Sequence, residues 1–143
     1  MIVKVKAKRK NPFDRVKKDE KYFLLRGAYV SSEIETRDIF DNHNIDYVNY
    51  FNDKAFANQV MLHQQLNRKL LKYAYDNDAE DWEWDGIALH HYIFFDIKNH
   101  TFKVDVDTRL RSQNVYFSKR KVAGQAIEDV IKPFMKEHPE FVW

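Results

Sequence analysis

The chain has no cysteine, which excludes disulfides and thiolate metal sites and suits a reducing cytoplasm. Gly 3 and Pro 3 leave no room for a flexible linker or a low-complexity tract, so residues 1–143 read as a single domain. No apolar run approaches the roughly 20 residues that span a bilayer, and the N-terminus alternates Val3 and Val5 with Lys4 and Lys6 instead of forming the apolar block of a signal peptide. Also missing are a Gly-rich phosphate loop, a Gly-x-Ser-x-Gly elbow and a nucleophile with a recognisable base. The expectation is a cytoplasmic, non-enzymatic protein without a cofactor and without a membrane partner.

What is present is apolar material and unevenly placed charge. With 44% hydrophobic and 32% charged residues the chain can bury a real core. The net charge of +2 conceals two patches. Residues 1–21 carry nine Lys/Arg against Asp14, Asp19 and Glu20, whereas residues 76–85 carry Asp76, Asp78, Glu80, Asp81, Glu83 and Asp85 with no base. Such patches attract partners of opposite sign, or each other.

Val3, Val5 and Ala7 alternating with lysines predict a strand that Asn11-Pro12 ends. Tyr22 to Leu25 and Ala28 to Ser31 flank Arg26-Gly27 as a hairpin, and Tyr92 to Phe95 with Thr101 to Val106 flank Ile97 to His100 as a second. Glu33 to Asn44 is polar and ambiguous, with Asp41-Asn42-His43-Asn44 reading as a loop ahead of an extended Ile45 to Phe51. Residues 53–75 predict the longest helix, with a stripe of Ala55, Leu62, Leu66, Leu70 and Tyr73 widened by Phe56, Val60 and Met61. Val115-Tyr116-Phe117 predicts a strand feeding a helix capped by Ser118, and Pro133 predicts a kink or an end near Ile131.

Tyr50-Phe51 precedes Ala57 as Tyr116-Phe117 precedes Ala123. The chain therefore reads as two hairpin-strand-helix halves, an α+β fold in which an antiparallel or mixed sheet is covered by two helices, with an internal duplication implied.

The order Phe13 to Phe23, Asn49-Tyr50-Phe51, Trp82-Glu83-Trp84-Asp85-Gly86, His91 to Asp96, then Val115 to Ser118 with Ala123 and Ala126-Ile127-Glu128 resembles small uncharacterised proteins of phages and prophages of Gram-positive bacteria. The likeness covers roughly residues 13–135, and the basic strand before Pro12 departs from it, since that family usually begins near the position of Phe13. The resemblance brings no established activity. It implies a phage accessory protein in the cytoplasm of the bacterial host, of the kind that binds and disables host machinery, an anti-CRISPR factor being the most concrete version.

Two surfaces are candidates. Asp81, Trp82, Glu83, Trp84 and Asp85 combine carboxylates with aromatics, which suits a basic protein surface, although a pair of Trp covering the end of a core is the plainer explanation. Arg109, Arg111, Lys119, Arg120 and Lys121 form the anion or nucleic-acid candidate. The alternative function is thus a nucleic-acid-binding accessory protein with a Lys/Arg-rich face. His90, His91, His100, Asp105 and Asp107 are the best metal-ligand cluster, set aside because adjacent strand residues point to opposite faces and these read as ordinary surface histidines.

Overall fold

The structure, a computed structural model, describes residues 10–77 and 84–143. The expected strand at Val3 to Ala7 and the candidate residues Asp81, Trp82 and Glu83 lie outside the described residues. The chain divides into two compact units, Met1–Met61 and Leu62–Trp143. The α+β class holds: two antiparallel two-stranded sheets are combined with helices.

In the first unit β1 (Lys21–Arg26) pairs with β2 (Tyr29–Ile34) in the register Arg26↔Tyr29 to Lys21↔Ile34. Gly27 opens the two-residue turn at φ +63°, a value at which a Cβ is strained. The stretch from Glu33 to Asn44 holds a helix, α1 (Ile39–Asp46), followed by the start of α2 (Lys54–Asn77). Asp41 to Asn44 is helical and not a loop, because Asp38 and Asp41 form a capping box that starts the helix. Asp53 Oδ1 accepts from the Phe56 N–H at 3.1 Å and caps α2. The strand expected from Ile45 to Phe51 is not one. Ile45 and Asp46 close α1, and only Phe51 pairs with β1, exchanging N–H···O bonds of 2.7 and 2.8 Å with Phe23. Beside that bridge the Asn49 amide does the work of a third strand, accepting from Leu25 N–H at 2.7 Å and donating to Leu25 C=O at 3.0 Å.

The second unit repeats the plan. β3 (His90–Asp96) pairs with β4 (Thr101–Asp107), and Phe117 bridges to His91 on the first strand through two bonds of 2.7 Å. A helix follows, α3 (Arg120–Ala126), continuous through a π-helical turn over Ile127–Ile131 into α4 (Lys132–Glu137). The π turn falls where Pro133 was expected to kink or end the helix. Proline has no N–H and its ring crowds the carbonyl four residues back, and the wider turn lets the helix continue. Ser118 is not the cap: Lys119 holds that position without a side-chain capping bond, because the Phe117 bridge keeps the chain extended one residue longer.

Phe51 and Phe117, both fully buried, thus occupy the same place in the two units, and the buried Ala57 and Ala123 follow in the first turns of the helices. This is the geometry that an internal duplication predicts. The described strands form two separate ribbons instead of one shared sheet, each third strand being reduced to one bridge. Along α2 the buried stripe is Ala57, Met61, Leu62, Leu66, Leu70 and Ala74, while Ala55 faces solvent. Steps of four along a helix of 3.6 residues per turn keep that stripe on one slowly drifting face.

Candidate functional site

The first unit is organised around two buried carboxylates. Glu35, 0% exposed, takes a forked bond from Arg15 (Nε–Oε2 3.2 Å, Nη2–Oε1 2.8 Å), the Tyr50 hydroxyl at 2.6 Å and the Arg37 N–H at 3.0 Å. Asp41, 3% exposed, takes the Tyr22 hydroxyl at 2.7 Å together with the backbone N–H (2.8 Å) and hydroxyl (3.1 Å) of Thr36. Tyr22 and Tyr50 stack at 4.1 Å between ring centroids, so the two carboxylates are joined through one aromatic pair. The Arg15 guanidinium, with help from Tyr50 and Arg37, holds the Glu35 carboxyl below the usual range against the opposing effect of burial. For Asp41 burial is the largest influence and pushes the other way, yet the bonds from Tyr22, Thr36 and Asp38 together depress it. Burial and the Asp41 bond push Tyr22 up to about 12, and burial and Glu35 raise Tyr50 as well.

This network inverts α1. Asp41, Asn44 and Ile45 form its inner side, where Asn44 Nδ2 donates to the Tyr22 hydroxyl at 3.0 Å. Ile39, Phe40, His43 and Tyr47, at helical spacings of three, four and seven, form its outer side. Phe40 is 71% and Tyr47 81% exposed. A helix normally buries its apolar arc and displays its polar one, and here a carboxylate is inside and the aromatics are outside.

The end of α1 carries a strained residue. Val48 N–H bonds to Ile45 C=O at 3.0 Å and Asn49 N–H to Asn44 C=O at 2.8 Å, the double closure of a Schellman motif. That motif needs a left-handed residue, usually glycine, and Val48 supplies it at φ +56° while 63% exposed. A cleft of about 520 Å³ opens between α1 and the β1-β2 hairpin, with Tyr22, Leu24, Glu33, Ile34, Phe40 and His43 among its walls. None of these groups stood out in the sequence, because Asp41 lies 19 residues from the hydroxyl that buries it.

The candidates named from sequence lie in the second unit. Trp84 is half-buried and stacks on the His90 ring at 3.8 Å and 12°, with its edge to Tyr116 at 4.9 Å. The Arg111 guanidinium sits 5.5 Å from the Trp84 ring centroid, so one residue of each candidate meets the other. Asp85 Oδ1 accepts from the N–H groups of Ile87 and Ala88, both at 2.8 Å, bonds that hold its carboxyl below the ordinary range. Asp107 binds the N–H groups of Arg109 and Leu110 in the same way. Arg109, Arg111, Lys119, Arg120 and Lys121 all face solvent.

The histidine expectation needs correction. His90 is 1% exposed and His91 is buried too, since Trp84 and Tyr116 cover one side of β3 and Phe117 bridges to His91. Both ring nitrogens of His90 lack a hydrogen-bond partner among the described residues. His100 lies apart in the β3-β4 turn, and no group of three or more metal-ligating side chains occurs among the described residues. No helix among the described residues is long and apolar enough to cross a membrane. Comparison with protein-family models, curated proteins and solved structures finds no match to this chain.

Proposed function

We propose that this protein is a non-enzymatic binding protein that docks on a host protein and inhibits it, an anti-defence factor of the anti-CRISPR kind being its most concrete form. The phage and prophage resemblance supports that origin. The observation that carries the binding role is α1, whose outer face presents Ile39, Phe40 and Tyr47 and ends on the exposed, left-handed Val48. Scattered surface apolar residues need no explanation, but a helix that buries its aspartate and displays its aromatics is arranged for a partner. Strain at Val48 fits the same role, because unfavourable backbone geometry persists where the displayed side chain is used. Trp84 of the acidic candidate packs against His90, Tyr116 and Arg111.

The test is affinity capture from a lysate of a Gram-positive host with the wild-type chain and with Phe40→Glu/Tyr47→Glu, read by quantitative mass spectrometry. A protein retained by the wild type and lost from an equally stable variant is the expected result. Identical capture profiles would remove α1 as the docking surface.

A second reading, nucleic-acid binding, draws on the exposure of Arg109, Arg111, Lys119, Arg120 and Lys121. It requires a gel shift of DNA or RNA at low salt that weakens steeply as salt rises. No shift at low salt removes it.

A further inference from the structure

We infer that the cleft between α1 and the β1-β2 hairpin takes a Lys/Arg-rich protein segment that inserts one large apolar side chain. This rests on the binding-protein reading above and specifies the chemistry of the partner. The cleft of about 520 Å³ lies in the size range of small-molecule pockets, with Tyr22 and Leu24, both almost fully buried, among its walls. Phe40 and Ile34, both exposed, add apolar surface to it.

Acidic groups outnumber basic ones in its lining, three carboxylates to one guanidinium. Glu33, Asp38 and Asp41 line the cleft, and Asp46 stands exposed at the end of α1. Both Asp41 oxygens are engaged inside the protein, which leaves the exposed Glu33, paired with Arg26 at 3.4 Å, and the exposed Asp38, whose Oδ1 accepts from the Asp41 N–H at 3.0 Å, on the cleft with Asp46 beyond them. Arg26 is the single Lys or Arg in the lining, and its guanidinium is already bonded to Ser31 at 3.0 Å and Glu33 at 3.4 Å. From Asp38 to Asp53 the sequence has no Lys or Arg. Two copies of this face would oppose carboxylate to carboxylate, and nucleic acid or an anionic membrane would meet the same repulsion. A cationic segment gains electrostatic steering from the carboxylates and apolar burial against Ile34 and Phe40, the division of labour between rim and anchor at protein interfaces.

The experiment selects a random peptide library on the immobilised full chain and, in parallel, on Phe40→Glu, whose position is exposed enough to leave folding intact. Enrichment on the wild type of sequences with Lys or Arg flanking a Trp, Phe or Leu is expected. An enriched peptide should bind Glu33→Gln/Asp46→Lys about tenfold more weakly at low salt, chiefly through slower association. Acidic or uncharged enriched sequences overturn the inference, as does equal binding to Phe40→Glu or a concentration-dependent dimer that Phe40→Glu abolishes. If a captured host protein is lost from the α1 variant while the enriched peptides are not basic, the binding reading stands and this inference falls. If neither capture nor peptide binding responds to Phe40→Glu, both fall.

Discussion

Tyr50 shows how much one hydroxyl can hold. It donates to Glu35 at 2.6 Å and accepts from the Val16 N–H at 3.1 Å, while its ring stacks on Tyr22. Tyr50→Phe keeps the ring and the stack but leaves a buried carboxylate and a backbone donor each one partner short. The expected loss is about 1–3 kcal/mol, measured as a lower urea midpoint at unchanged slope. A midpoint equal to the wild type would mean that Glu35 is satisfied by Arg15 and Arg37 alone. None of this is visible in the sequence around Tyr50, which shows only an aromatic beside an aromatic. The recurrence Tyr50-Phe51 and Tyr116-Phe117 did mark the right places, because the same buried, bridging position imposes the same residue types.

At the scale of elements, α1 and α3 contrast a helix end kept under strain with a helix interior open to improvement. Val48 occupies the left-handed position that closes α1, where glycine costs nothing and a β-branched residue costs about 1–2 kcal/mol. Val48→Gly is therefore expected to stabilise the fold by about 1 kcal/mol after the entropy of the added glycine is counted. The same change should weaken capture of the α1 partner, a stability gain at the expense of function. Thermal unfolding and capture measured on one preparation check both halves, and a stabilised variant with undiminished capture would show that Val48 is not displayed for binding. Gly124 is the opposite case: it lies inside α3, and a Cβ built there meets nothing within 4 Å. Gly124→Ala is expected to raise stability by about 0.5–1 kcal/mol through helix propensity alone, with destabilisation pointing to a conformational role in the turns that lead into the π segment.

For the whole molecule, the buried network sets a pH window. Glu35 and Asp41 have depressed pKa values in the folded state, so they contribute stability that is full above the unfolded carboxylate pKa of about 4 and is lost as pH falls through the lower folded values. Tyr22 is raised to about 12, so its contribution is full below the unfolded value of about 10 and is lost as pH rises toward 12. Urea midpoints followed across pH should form a plateau falling at both ends. Asp41→Asn should flatten the acid side, and an unchanged acid limb in that variant would assign the loss to other carboxylates.

The sequence by itself determined the α+β class, both hairpins, the long helix α2 and the repeated aromatic-to-alanine spacing, all consequences of local period and turn chemistry. Turn residues and apolar alternation act between near neighbours, which is why the β3-β4 hairpin and the disturbance ahead of Pro133 were legible. Tertiary structure alone decided that Asp41 faces inward and Phe40 outward, because the direction of α1 depends on a Tyr22 hydroxyl that no local pattern announces. It also decided that Trp84 lies against a buried His90, that Lys119 and not Ser118 is the N-cap of α3, and that the third strand of each half shrinks to a single bridge. Each of these outcomes depends on pairing across many residues, where one hydrogen bond in a water-poor interior outweighs the fraction of a kcal/mol by which local propensity distinguishes one conformation from another.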